Sequence, residues 1–119
     1  MTSSFLLTFR EIDDELHRAQ EARLAGNEGR ARTAARRAAG MAIEILVRRV
    51  PEKNYGNDFL HYLRGMMNDL TIPEEIRQAA EHLQARIDKN FMFPFSEDPI
   101  EDAQRIVQYV RQQLEHPEG

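Results

Sequence analysis

The run RQAAEH, residues 77–82, places Arg77 and His82 with four residues between them. A guanidinium can stabilise the charge of a phosphorane while an imidazole moves the proton of a 2′-hydroxyl, the two tasks of metal-independent RNA cleavage. On one continuous helix, however, five positions leave two side chains about 140° apart. Arg77 is therefore expected on the solvent face and His82 near the core edge. A catalytic use of the pair needs two copies of it to face each other across a dimer.

A second set of chemistry-bearing residues lies in GNEGRARTAARRAAGMAIE, residues 26–44, where Arg30, Arg32, Arg36 and Arg37 alternate with alanines. At about 100° per residue, Ala31, Ala34, Ala35, Ala38, Ala42, Ile45 and Leu46 cover one broad arc. Such an arc suits a central helix that approaches several neighbours closely. The arginines divide between its two rims. Arg30, Arg37 and Arg48 share an edge with Glu44, whereas Arg32 and Arg36 lie towards the other boundary. A nucleic-acid-reading helix usually gathers its cations on one face, so the two readings are a solvated, salt-bridged rim and a local anion or nucleotide contact from Arg32 and Arg36, or from Arg37.

Charge points the same way. The net charge of −4 argues against general binding to a phosphate backbone. Between Gly26 and Val50 the arginines face only Glu28 and Glu44, while from Phe91 onward Glu97, Asp98, Glu101, Asp102, Glu115 and Glu118 outweigh Arg105 and Arg111. These opposed segments can complement each other, within one chain or across a dimer.

Other chemistries find no support. There is no cysteine, hence no disulfide and no thiolate metal site. None of His17, His61, His82 and His116 has a glutamate three residues before it, as the carboxylate-bridged metal sites of helical bundles require. No metal or cofactor is expected. GNEG lacks the preceding strand and the lysine of a phosphate-binding loop, and no serine stands in a nucleophile-elbow context. No apolar run approaches the roughly 18 to 20 residues that cross a bilayer. The opening MTSSFLLTFR has too short an apolar stretch, and no basic start, for a signal peptide. A cytoplasmic setting is expected.

The elements that must position these residues are all helical, because apolar positions recur with period 3.6 and nowhere alternate for long. A first helix is predicted from about Ser4 to Ala25, with Gly26 and Asn27 as its stop and turn. A second runs from about Glu28 to Val50 and ends at Pro51. After a loop with turn residues Asn54, Gly56 and Asn57, a third helix turns Phe59, Leu60, Leu63, Met66, Met67 and Leu70 inward. TIPEE predicts a capping box, with Thr71 as N-cap and Glu74 reaching back. The fourth helix then buries Ile76, Ala79, Ala80, Leu83 and Ile87. Phe91, Phe93 and Phe95 are expected to tuck under the bundle as a plug. Asp98 is expected to cap the last helix, with Pro99 at its first position and Glu101 completing a second box. That helix buries Ile100, Ala103, Ile106 or Val107, Val110 and Leu114. The prediction is an all-α, up-down bundle of four to five helices, with residues 1–119 as a single domain.

Three stretches carry a family resemblance: ELHRAQEARLAGNEGRARTAARRAAGMAIEILVRR, NDFLHYLRGMMNDLTIPEEIRQAAEHLQARID and EDPIEDAQRIVQYVRQQLE. In that order they resemble the opening hairpin, the following helix pair and the acidic-capped last helix of the HEPN family (higher eukaryote and prokaryote nucleotide-binding). The resemblance implies a helical bundle, frequently a homodimer, and for many members a minimal nucleotidyltransferase partner. For others it implies toxin-type RNase activity, marked by an arginine, four to six residues and a histidine. Arg77 and His82 satisfy that spacing, with polar Gln78 after the arginine, but they stand inside the amphipathic run after TIPEE rather than at its end. ARIDKNFMFPF, which follows, offers Arg86, Lys89 and Asn90 without a histidine. The reading preferred from this pattern is a non-catalytic, dimeric HEPN-like module that binds a nucleotide, nucleic acid or partner protein. Its ligand surface would draw on Arg32, Arg36, Arg86 and Asn90. The alternative is the RNase, with His82 assisting proton transfer and Arg77 stabilising the phosphorane.

Overall fold

Gly26 makes the first structural decision. In the computed structural model, which describes residues 2–86 and 95–115 (side chains from residue 8), helix α1, Thr2–Leu24, ends in a reversal centred on this residue. Gly26 holds φ at 80°, a left-handed conformation that suits glycine. Its N–H donates to the Arg23 carbonyl and that of Asn27 to the Ala22 carbonyl, the paired bonds of a Schellman motif. Asn27 then caps the next helix, its side chain accepting from the Arg30 N–H at 3.0 Å. Helix α2, Glu28–Arg49, thus folds back on α1 as a tight hairpin.

The alanine arc of α2 is buried as expected, and it is wider than expected. Ala39, Gly40 and Ile43 join Ala31, Ala34, Ala35, Ala38, Ala42, Ile45 and Leu46 in the core. The width reflects three neighbours, because α2 packs against α1, α3 and α5. Gly40 lets the start of α3 come close. A Cβ at that position would lie 2.6 Å from the Phe59 ring.

A one-turn 3₁₀ helix, Pro51–Lys53, follows α2, and Asn54 closes it in the left-handed region. Helix α3, Phe59–Met67, is capped by Asp58, whose carboxylate accepts from the His61 N–H at 2.9 Å. It buries Tyr62, Leu63 and Met66. The helix ends earlier than predicted, and Leu70, expected to face inward, is 83% exposed. The cause is Asp69, which accepts from both the Thr71 N–H and the Thr71 hydroxyl and so replaces a further helical turn by a side-chain turn. Thr71 is accordingly not the cap of the next helix. Pro73 takes that position without a side-chain cap, and the capping-box prediction fails because Asp69 already engages the threonine.

Helix α4, Glu74–Gln84, buries Ile76, Ala79, Ala80 and Leu83. Helix α5, Pro99–Glu115, opens as expected, with Asp98 accepting from the Ile100 N–H at 2.9 Å and Pro99 in first position. Glu101 is exposed, so the cap rests on Asp98. The same carboxylate receives Arg23 of α1 at 2.8 Å, while Arg23 also grips Glu28 at 2.9 Å. This clamp joins the end of α1 to the starts of α2 and α5 and holds the Asp98 carboxyl below its usual pKa, chiefly through the Arg23 hydrogen bond. The described residues therefore form an all-helical bundle. Ile87, Phe91 and Phe93, assigned above to the core and the plug, lie outside them. No helix among them is long and apolar enough to cross a membrane.

Candidate anion-binding site

The predicted division of the arginines on α2 has a physical consequence. Arg30 and Arg37 are exposed, and Arg48, also exposed, leans towards Glu44 at 3.6 Å. Arg32 and Arg36 are half-buried and turn to the side of the helix that meets α3 and the end of α4.

Arg32 reaches across to the last turn of α4, where its Nη2 donates to the Ala85 carbonyl and, at 3.4 Å, to the Leu83 carbonyl. Helix C-termini leave carbonyls without intrahelical partners, and a guanidinium satisfies them well. Burial, followed by the field of Arg36, pushes its pKa down to about 10. Arg36 shifts in the same direction, first through burial and then through repulsion from Arg86 and Arg64. Both stay cationic near neutral pH.

Arg64 enters from α3. Its Nε donates to the side-chain carbonyl of Gln84 at 3.2 Å, and the Gln84 amide donates in turn to the Glu81 carbonyl at 3.1 Å, which fixes the orientation of the amide. Arg86 follows the end of α4 and is exposed. Among the described residues no carboxylate forms an ion pair with Arg36, Arg64 or Arg86. Elsewhere Arg18, Arg23, Arg105 and Arg111 all meet acids. Arg32 and Arg36 are thus partly desolvated cations, and Arg64 is oriented by the neutral amide of Gln84. Their chemical competence is to accept a small, strongly charged oxyanion.

Of the binding residues predicted from sequence, Arg32 and Arg36 lie one turn apart on α2, Arg86 is near enough to Arg36 to repel it, and Asn90 lies outside the described residues. Arg64 was missed. Nothing in LRGMM signals that this arginine faces α2, because that depends on how α3 packs.

The other candidate pair is not brought together within the chain. Arg77 is half-buried, and its Nε donates to the Ile72 carbonyl at 3.0 Å, bracing the turn before α4. His82 faces α5. Its Nδ1 lies 3.0 Å from a carboxylate oxygen of Asp102, its Nε2 lies 3.5 Å from Glu97, and the Phe95 ring stacks obliquely on it at 4.8 Å. Asp102 is 1% exposed, and Arg105 stands 3.5 Å from its second oxygen. Burial pushes the Asp102 carboxyl up, against the opposing pull of His82 and Arg105. Sequence reasoning treated Asp102 only as part of an acidic segment. The signal was present, since Asp102, Ile106 and Val110 recur every fourth residue on the apolar stripe of α5. Among the described residues no group of three or more His, Cys, Asp or Glu side chains could hold a metal ion.

Compared with protein-family models, with characterised proteins and with solved structures, the chain finds no match.

Proposed function

We propose that this protein is a non-catalytic helical module of HEPN type that binds a phosphate-bearing ligand, a nucleotide or RNA, through the guanidiniums of Arg32, Arg36, Arg64 and Arg86. Dimerisation and a minimal nucleotidyltransferase partner belong to the same reading, which follows the family resemblance. The observation that carries the ligand is that Arg36 feels the repulsion of Arg64 and Arg86, from two other parts of the fold, while no carboxylate among the described residues pairs with any of the three. Like charges held together and partly desolvated repel one another, and an oxyanion placed between them relieves that repulsion. The negative net charge favours a local contact over a long backbone track.

The test is titration of a fluorescent short RNA and of ATP, read by anisotropy. Arg36→Ala and Arg64→Ala are each expected to weaken binding about 10- to 100-fold, the usual worth of a charge-assisted hydrogen bond. Raising salt should weaken it further. Unchanged affinity in both variants would overturn the assignment, and gel filtration of the same samples tests the dimer.

One observation favours a second reading, the toxin-type RNase. A buried carboxylate behind His82 is an arrangement that orients an imidazole for proton transfer. Because Arg77 is engaged with the Ile72 carbonyl, that chemistry needs Arg77 and His82 pairs to meet across two copies. RNA cleavage by the wild-type chain that His82→Ala abolishes would establish it, and an inactive wild-type chain counts against it.

A further inference from the structure

The outer face of the α1–α2 hairpin is a groove of about 750 Å³, with Ala22, Ala25 and Ala34 along its floor, Glu21 on the α1 side and Arg30 and Arg37 on the α2 side. We infer that two copies of the chain associate through this groove, α1 of each lying over α2 of the other about a two-fold axis parallel to the helices. The inference rests on the dimerisation in the proposed function, whose surface it names, and does not depend on the phosphate ligand.

The charges along the groove are self-complementary. Asp14, Arg18, Glu21 and Ala25 recur at intervals of four, three and four residues, so Asp14 continues the α1 stripe that lines the groove. Arg18 on that stripe is neutralised by Glu15 at 2.5 Å. Asp14, Glu21, Arg30 and Arg37 are all exposed, and among the described residues none of them forms an ion pair within the chain. The acids thus line one side of the hairpin and the arginines the other.

Their heights match as well. Counted from the reversal at Gly26, Glu21 stands five residues before and Arg30 four after, while Asp14 stands twelve before and Arg37 eleven after. At about 1.5 Å per residue each acid is nearly level with one arginine. A two-fold axis along the helices keeps height and exchanges the two sides. It therefore sets Glu21 against Arg30 of the partner subunit and Asp14 against Arg37 of the partner subunit, each pair occurring twice. The small side chains on the floor allow close helix-to-helix approach between these pairs.

This arrangement also bears on the RNase reading. Helix α4 packs on α3 and α5 and lines no part of the groove. A dimer on this face holds the two Arg77–His82 pairs apart, whereas RNA cleavage needs them to meet.

The experiment is a charge swap on the full chain, read by sedimentation. The wild type is expected to dimerise, and more weakly as salt rises. Arg30→Glu with Arg37→Glu makes both sides of the groove acidic, and Asp14→Arg with Glu21→Arg makes both basic. Each double variant should self-associate at least about tenfold more weakly, because like charges then face each other. Mixing the two should restore a heterodimer, since each then offers what the other lacks. All four positions are exposed, and circular dichroism of each variant checks that the fold is kept. A wild-type dimer that neither double variant weakens overturns this face and leaves dimerisation standing elsewhere. Loss of self-association without recovery in the mixture overturns the pairing. A wild type that stays monomeric removes the dimer altogether, while titration of the wild type with RNA and ATP tests the ligand separately.

Discussion

Replacing Asp102 with alanine is expected to destabilise the protein by about 3 kcal/mol or more, whereas Asp102→Asn should leave it close to wild type at pH 7. Asp102 is 1% exposed and its oxygens meet His82 and Arg105. Removing one member of a buried polar set leaves its partners unsatisfied and opens a cavity, and such losses run to about 3–5 kcal/mol. At about 4 °C per kcal/mol for a chain of this size, the alanine variant should melt roughly 12 °C lower. Asparagine keeps the shape and one acceptor oxygen without a charge to desolvate. The pH dependence follows from the direction of the Asp102 shift. Its folded pKa lies above its unfolded value because burial dominates. Its contribution to stability is therefore complete below the ordinary carboxylate range and is lost as pH rises through the raised value. The melting temperature of Asp102→Asn minus that of wild type should accordingly increase from about pH 4 to pH 7. Thermal melts followed by circular dichroism measure both effects, and an alanine variant with the wild-type melting temperature would refute the first.

The second large effect concerns Gly65. Alanine in a helix interior ordinarily improves on glycine by about 1 kcal/mol, yet Gly65→Ala is expected to lose about 2 kcal/mol. A Cβ at Gly65 would lie 2.3 Å from the Tyr55 ring, far inside van der Waals contact. Whether that costs much depends on whether the ring can move. It is pinned, because the Tyr55 hydroxyl donates to Asp69, which also receives Lys53 at 2.8 Å. Overpacking against a neighbour that cannot yield typically costs about 1–3 kcal/mol. Because the Tyr55 Cβ is itself 2.5 Å from the added atom, the relieving background is Tyr55→Gly, in which the same substitution should cost nothing or stabilise, giving a coupling of about 2 kcal/mol in a double-mutant cycle. Gly29→Ala is the control, since a Cβ there meets only the Asn27 side chain at 3.8 Å. Additive effects of Gly65→Ala and Tyr55→Gly would show that Tyr55 is not the obstacle.

Both predictions rest on features that differ in how far sequence exposes them. The caps Asn27 and Asp98 and the reversal at Gly26 are local events, decided by side chains within a few residues of the backbone groups they satisfy. They were accordingly readable. TIPEE failed for a related reason. Two local solutions competed for Thr71, and Asp69, two residues earlier, prevailed over a cap on α4. Leu70 followed from the same event, because once the helix stops, helical phase no longer predicts direction.

What the sequence by itself determined is the set of helices, their principal ends and the faces they bury, above all the alanine arc of α2. Each of these depends on the 3.6-residue period and on capping, which act over one or two turns. What only the tertiary structure decided is which faces meet. Arg64 stands beside Arg36 because α3 packs on α2, and Asp102 stands behind His82 because α4 packs on α5. Periodicity states that a side chain points inward or outward but not which residue of another helix it finds there. The cationic cluster and the buried carboxylate are properties of such meetings, and so they emerge only when the helices are assembled.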